Sequence, residues 1–133
     1  MSKQIDQTDL IGLHEFDFGK VYFYHNFLIT EIAEGVNFDH PMALQIAEVA
    51  NNVYENRPYG YIANRINSFS VQPSDYQKVK GDFVNLKVFC VVAYNDFQKK
   101  SIEVEQIFYH DTIYTFNSLD EAINFVENRI SEM

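Results

Sequence analysis

A chain of 133 residues, 47% of them hydrophobic, is large enough for one domain with its own core and too apolar for a disordered protein. The formal net charge of −9 argues against nucleic acid or an anionic membrane surface as the main partner, because both require a cationic face. The single cysteine, Cys90, excludes an intramolecular disulfide, and its apolar neighbours indicate a small buried side chain.

The first third of the chain predicts a polar tail followed by a β-hairpin. Residues 1–8 are polar and lack an apolar signal region, so we expect a disordered N-terminus, with one domain over residues 9–133. The stretch 9–18 ends in alternation, and the stretch 20–32 is dense in residues that favour strands. Gly19 between them predicts a tight turn and an antiparallel return.

A helix and a short strand come next. Asp39 is a good N-cap and Pro41 suits the first turn of a helix. Apolar residues then recur at helical spacing until Arg57-Pro58, which we expect to end the helix. Residues 59–64 predict a third strand.

The second half continues the alternation of helices and strands. After an irregular stretch, Ser74 predicts the cap of a short helix over residues 75–79, which Gly81 ends. The nearly continuous apolar run 86–94 is typical of an interior strand that is covered on both sides.

Three further elements complete the chain. A helix is expected from Asn95-Asp96, and residues 113–116 predict a last short strand. Ser118 and Glu121 then form a capping box before an apolar stripe, which predicts a closing helix. This order of elements predicts an α/β fold with a mixed sheet, an N-terminal hairpin and flanking helices.

No spacing in the sequence is typical of a catalytic, metal or phosphate site. The four histidines pair with no Cys, carboxylate or second His at a standard metal spacing, and the glycines are isolated. We therefore predict no metal, no cofactor and no enzymatic activity. An enzyme that uses a carboxylate or His25 is the least supported alternative.

The loop over residues 65–74, called the 65–74 loop below, is the candidate site. Loops that follow the strands of α/β sheets often meet ligands and regulators. The candidate residues are Asn64, which directly precedes the loop, and the loop residues Arg65, Asn67, Ser68, Ser70 and Ser74. It is either an ordinary connection or a partner-binding loop, in which phosphate on a serine near a helix N-terminus would switch docking.

Several segments resemble the SpoIIAA-like (STAS-like) family over about residues 9–131. They are Glu34-Gly35-Val36 with Asp39, Arg57-Pro58-Tyr59 before Tyr61-Ile62-Ala63-Asn64, Pro73-Ser74-Asp75-Tyr76, and Phe116-Asn117-Ser118-Leu119-Asp120-Glu121-Ala122. The resemblance implies a small bacterial, non-enzymatic module. Family members that antagonise anti-sigma factors bind a serine kinase and are switched off by phosphate on a serine after the third strand, while other relatives bind lipids or small molecules. The Asp-Ser-Ser-Gly-type motif of that switch is replaced here by Asn67-Ser68-Phe69-Ser70.

Two functions follow as expectations. The first is a cytoplasmic STAS-like protein-interaction or regulatory module in bacterial signalling, which binds a protein partner through the 65–74 loop and the short helix after it. The alternative is a carrier of small molecules or lipids, because 12 Phe and 9 Tyr could line a pocket as well as a core. An exposed edge strand in the aromatic hairpin would allow a homodimer, whereas nucleic-acid binding and membrane insertion are not expected.

Overall fold

A computed structural model describes residues 10–79 and 81–133, so the predictions for residues 1–8 and for Asp9 lie outside the described residues. The chain forms an α/β fold around a mixed, six-stranded sheet with the order β1-β2-β3-β5-β7-β8. These strands are Leu10–Phe16 (β1), Gly19–Tyr24 (β2), Phe27–Ile32 (β3), Tyr59–Asn64 (β5), Leu86–Val92 (β7) and Ile113–Phe116 (β8). A small parallel sheet pairs Asn37–Phe38 (β4) with Ser70–Val71 (β6). The helices are His40–Tyr54 (α1), Asp75–Lys78 (α2), Asp96–Phe108 (α3) and Leu119–Ser131 (α4).

The connections between strands decide where the helices lie. β1, β2 and β3 are antiparallel, whereas β3, β5, β7 and β8 run parallel to one another. The crossovers from β3 to β5, β5 to β7 and β7 to β8 all advance in one direction, and right-handed crossovers of that kind place their helices on the same face. One core cluster accordingly joins the sheet to α1 and α3, and the other joins the opposite face to α4.

Both faces of the central strands are therefore covered, as the apolar run over β7 predicts. Cys90 and Val92 on β7 pack in the cluster that contains Val126 of α4, while Val91 belongs to the cluster on the other face. Cys90 is fully buried, which confirms its predicted place, and burial raises the pKa of its thiol to about 12. None of the helices in the described ranges is long and apolar enough to cross a bilayer.

The predicted antiparallel hairpin is present, but the positions and the number of its turns were predicted wrongly. The stretch 20–32 is not one strand, because the chain turns at His25 and Asn26 and β3 returns antiparallel to β2. The first turn lies at Asp17 and Phe18, and Gly19 already pairs with Phe16 as the first residue of β2. Strand propensity marks residues that suit a sheet but does not count the strands that they form.

The other elements lie close to their predicted places. β5 and β8 have the predicted bounds, and the Asp39 carboxylate accepts the Met42 N–H at 3.1 Å, as an N-cap should. α1 ends at Tyr54, before Arg57-Pro58, because Glu55 adopts a left-handed φ of 51°.

Two details of the middle segment differ from the prediction. Residues 70–71 form β6 inside the stretch that was expected to be irregular. Ser74 precedes α2 without a side-chain cap bond, because its backbone is already helical (φ −62°, ψ −19°) and not extended as at the other caps. Its hydroxyl accepts a hydrogen bond from Gln72 Nε2 at 3.3 Å. At α4, by contrast, Ser118 Oγ accepts the Glu121 N–H at 3.2 Å, so the predicted cap is present.

We predict that Gly60→Ala lowers the free energy of unfolding by about 1–3 kcal/mol through overpacking. Gly60 lies where β5 meets α4, and a Cβ there would be 2.5 Å from Cγ1 of the fully buried Val126. Urea unfolding measures the loss. The matched control is Gly12→Ala on β1, where a Cβ meets nothing within 4 Å; equal stability of the two variants would refute the close contact.

Candidate functional site

A cavity lies on the face of the sheet that carries α1, α2 and α3. Its volume is about 90 Å³, several times the roughly 10–15 Å³ that a single water molecule needs on the same measure. Most of its wall is apolar, and the aromatic members are Phe38, Tyr61, Phe69, Tyr76, Phe83, Phe89 and Tyr109. The polar side chains in the wall are Thr30, Asp39, His40, Arg65, Gln72 and Asp75.

The short helix of the β5–β7 crossover (residues 65–85) explains why this space is not filled. α1 has 15 residues and α3 has 13, but α2 between them has 4 and buries none of them. A single turn covers less of a sheet than helices of three or four turns do. Side chains of the crossover therefore form one wall of the cavity, and β5 and β7 supply its floor through Tyr61 and Phe89.

The aromatic side chains of the wall hold one another at steep angles. Tyr61 and Phe89 have ring centroids 5.3 Å apart at 89°, and Tyr109 meets Phe89 at 5.1 Å and 62°. Tyr76 meets Tyr109 at 5.5 Å and 69°. Such edge-to-face pairs are favourable and fix the ring orientations. Burial raises the pKa of Tyr61 and of Tyr109 to about 12, so both phenols are neutral at physiological pH.

A buried ion pair lies at one side of the cavity. Arg65 follows β5 and is 7% exposed, and Glu105 of α3 is 1% exposed. Nη1 of Arg65 donates to Oε2 of Glu105 at 2.8 Å, and Nη2 donates to Oε1 at 2.5 Å. The hydroxyls of Tyr76 and Ser101 donate to the same carboxylate at 2.6 and 2.8 Å. One carboxylate thus joins the end of β5, α2 and α3.

This network keeps Glu105 ionised. Burial on its own raises the pKa of a carboxyl group, but the hydrogen bonds and charge of Arg65, with the two hydroxyls, outweigh it and hold the pKa of Glu105 below its usual value. The Nε–H of Arg65 has no hydrogen-bond partner among the described residues. The guanidinium also lies 5.5 Å from the centroid of Phe69, in cation–π range.

The carboxylates on the other side of the cavity are used by the first turn of α1. Asp39 caps the helix, and Oδ2 of Asp75 accepts the His40 N–H at 2.9 Å. Asp75 also pairs with Lys78 at 3.2 Å, and His40 Nε2 lies 3.1 Å from Oδ2 of Asp82. The two contacts with His40 attach the crossover to α1, just as Glu105 attaches it to α3.

The structure places the first half of the predicted site inside the fold. Asn64 is buried, and its Oδ1 accepts the Tyr94 hydroxyl at 2.5 Å. Arg65 is buried in the ion pair and is not a surface cation. Nδ2 of Asn67 donates to the Ile32 carbonyl at 3.0 Å, which fixes the loop to the end of β3.

The three serines of the predicted site are exposed and do not converge on one point. The Ser68 N–H donates to the Glu34 carboxylate at 2.8 Å. The Ser70 hydroxyl donates to Oδ1 of Asn37 in the small sheet. Ser74 bonds Gln72, as described above. The cavity wall contains Arg65 from the predicted set but none of the serines.

Sequence reasoning missed the residues of α3 and the crossover that build the site. Glu105 is not among the residues that the sequence predicts for the site, although it is buried while its neighbour Glu103 is exposed. Glu105 lies three residues after the buried Ile102, on the same helix face, and this spacing was the available signal. The cavity aromatics gave no signal, because Phe and Tyr occur along the whole chain.

No metal site is found among residues 10–79 and 81–133, where no group of three His, Cys, Asp or Glu side chains could hold an ion. No protein-family profile, curated protein or solved structure matches this chain. The site is therefore interpreted from its own geometry.

We predict that Glu105→Gln lowers the free energy of unfolding by about 3–5 kcal/mol at pH 7, because it leaves Arg65 buried without a counter-charge. Urea unfolding measures the change. Glu103→Gln, in the same helix but exposed, is the control and should stay within about 0.5 kcal/mol of the wild type.

The same variants give the pH dependence. The pKa of Glu105 is lower in the folded protein than its ordinary value of 4.5, which applies to the unfolded chain. The stability that Glu105 adds is therefore fully present above pH 4.5. It is lost as the pH falls from there through the folded pKa. The wild type should therefore lose its advantage over Glu105→Gln below pH 4.5. An advantage that is small at pH 7, or that grows on acidification, would contradict the ion pair.

Proposed function

We propose that this chain is a non-enzymatic, ligand-binding regulatory module that takes up a small molecule in the cavity under the β5–β7 crossover. The observation that carries the proposal is the cavity itself, whose wall includes seven aromatic side chains. Largely apolar concave sites with a few polar groups are the usual form of small-molecule sites.

Binding is favoured over catalysis because the charged groups in the described wall are already held by the protein. Arg65 is paired with Glu105, and Asp39 and Asp75 accept backbone N–H groups of α1. The wall contains no Ser or Cys that could serve as a nucleophile. Of the two expected kinds of carrier, the small volume of about 90 Å³ favours small molecules over lipids.

The regulatory part of the proposal comes from where the ligand would lie. The cavity is bordered by the start of α1, by the crossover and by Tyr109, which directly follows α3. The crossover is attached to α1 through Asp75 and to α3 through Glu105. A molecule in the cavity would contact all three borders and stabilise their arrangement by mass action. The exposed surface of the crossover would then differ in mobility between the free and the bound protein.

We predict that Ala63→Leu abolishes ligand uptake without unfolding the protein. Ala63 lies on β5 in the cavity wall, and three added carbons would occupy the space. Benzyl alcohol, a neutral one-ring probe, should give a saturation-transfer NMR signal with the wild type and a signal at least about tenfold weaker with Ala63→Leu, while unfolding stability is kept or raised.

The control for added bulk is Thr115→Leu. Val91 pairs with both Ala63 and Thr115, so all three lie in one row on one face of the sheet, but Thr115 is exposed on the edge strand β8. This variant should bind the probe like the wild type. Equal probe signals from all three proteins, or none from the wild type, would refute uptake in the cavity.

A second candidate function, docking of a protein partner, is favoured by exposed apolar side chains in the 65–74 loop and around the start of α3, called the apolar patch below. Ile66 is 52% exposed, Tyr94 is 47% exposed and Phe97 is 82% exposed. The patch is held together because Gln98 Nε2 donates to the Arg65 carbonyl at 3.0 Å and Tyr94 bonds Asn64. With a net charge of −9 on this chain, we propose a partner with apolar side chains and a basic rim.

This docking does not require the phosphorylation that the family resemblance implies. The Ser68 N–H already bonds the carboxylate of Glu34, and a phosphate dianion on Ser68 would meet that like charge. We therefore propose the patch, and not Ser68 or Ser70, as the contact surface.

We predict that replacing both Ile66 and Phe97 with Ser removes partner binding. A protein captured by the wild-type chain should be lost from the double variant and kept by Ile107→Ser, which removes a side chain 78% exposed near the other end of α3. Sedimentation of the purified protein tests whether the partner is a second copy of this chain, because a dimer would then sediment faster than the monomer. Capture that is the same with all three chains would exclude the patch.

A further inference from the structure

We infer that residues 72–79, called the lid below, open locally to admit the ligand and close over it. The inference rests on the proposed uptake of a small molecule in the cavity and adds how that molecule enters. Three observations support it: the lid lies between the cavity and solvent, few contacts hold it, and the segments on either side of it are fixed.

The lid has one side toward the cavity and one side toward solvent. Its residues in the cavity wall recur at the spacing of one face of a helical turn, and they are Gln72, Asp75, Tyr76 and Val79. Between them lie exposed residues, which are Ser74, Gln77 and Lys78. Movement of the lid away from the sheet would therefore open the cavity.

The lid has little stability of its own. Its helix α2 has 4 residues and buries none of them, whereas α1 has 15 residues, α3 has 13, and both have buried side chains. A single helical turn is unstable in isolation, because the first turn fixes several residues for one hydrogen bond. The lid is therefore closed only as long as contacts with other elements hold it.

Two side chains of the lid bind the neighbouring helices. Oδ2 of Asp75 accepts the His40 N–H of α1 at 2.9 Å, and the Tyr76 hydroxyl donates to Glu105 of α3 at 2.6 Å. The Tyr76 ring also lies against the floor of the cavity, with its centroid 6.0 Å from that of Phe89. Opening breaks these two hydrogen bonds and uncovers Phe89 for an entering molecule.

The segments before and after the lid are fixed by hydrogen bonds in which the lid takes no part. Before it, the Ser70 N–H of β6 donates to the Val36 carbonyl at 2.9 Å. After it, Asn51 of α1 donates to the Asp82 carbonyl at 2.8 Å and accepts the Val84 N–H at 3.1 Å. The lid can therefore move while these flanking segments keep their contacts.

Hydrogen exchange, measured by NMR on the full chain, tests the local opening. The Val79 N–H, which bonds the Asp75 carbonyl at 3.1 Å, reports on the lid, and the Ser70 N–H reports on its flank. We expect the Val79 N–H to exchange at least about tenfold faster in Tyr76→Phe than in the wild type, because this variant loses a hydrogen bond to a charged group. The Ser70 N–H should exchange at the same rate in both proteins.

Ser101→Ala is the matched control for this variant. The Ser101 hydroxyl donates to the same carboxylate at 2.8 Å, but it does so from α3 itself and not from the lid. Both reporter amides should therefore exchange in Ser101→Ala as in the wild type. An equal acceleration of the Val79 N–H in the two variants would assign the effect to the Glu105 carboxylate and overturn the role of Tyr76 in holding the lid.

Benzyl alcohol, the probe of the cavity, tests the link between binding and closure. At ten times its dissociation constant it should slow the exchange of the Val79 N–H about tenfold in the wild type, because a ligand that occupies only the closed protein reduces the open fraction by mass action. The Ser70 N–H should be unaffected. Ala63→Leu, which fills the cavity, should show no slowing.

The outcomes separate this inference from the proposed function. If Tyr76→Phe leaves the Val79 N–H unchanged or accelerates the Ser70 N–H equally, or if the probe binds without slowing the Val79 N–H, the lid is wrong while uptake in the cavity stands on its own probe signals. If Tyr76→Phe acts as expected but the probe does not bind the wild type, the proposed function is wrong while the local opening stands.

Discussion

The carboxylate of Glu105 is the point on which the helical side of this domain depends. It is 1% exposed and accepts hydrogen bonds from Arg65 after β5, from Tyr76 in α2 and from Ser101 in its own helix. A buried charge is tolerated only when it is paired and its remaining lone pairs are used, and here both conditions are met. Because the partners come from three different segments, the same contact fixes the strand end, the crossover and α3 relative to one another.

The cavity results from two features of the topology. All parallel crossovers advance in one direction, which brings α1, α2 and α3 to one face and leaves the other face to α4. The middle crossover then has a helix of 4 residues where its neighbours have 15 and 13. The part of the sheet that α2 leaves uncovered is bordered by aromatic side chains, which are large and rigid enough to keep the cavity open.

The polar groups around the cavity have mainly structural roles, and this explains their chemistry. Asp39 and Asp75 satisfy N–H groups of the first turn of α1 that have no partner within the helix. Glu105 neutralises Arg65. The rest of the described wall is largely apolar and includes the phenols of Tyr61 and Tyr109, which are neutral at physiological pH.

Local signals predicted most elements of the fold. The caps at Asp39 and Ser118 and the bounds of β5 and β8 could be predicted because they depend on neighbours within a few residues. The splitting of residues 20–32 into two strands could not, since a run of strand-forming residues has the same composition whether or not the chain turns within it.

The sequence by itself determined an α/β domain with a fully covered central strand and a candidate loop that includes Arg65. Only the tertiary structure decided that Arg65 points inward to Glu105, 40 residues away, and that Phe89, Tyr76 and Tyr109 come together around a space. The physical reason is that periodicity reports which face of an element is apolar, whereas a cavity and a buried ion pair depend on how separate elements pack and on what the short crossover leaves uncovered.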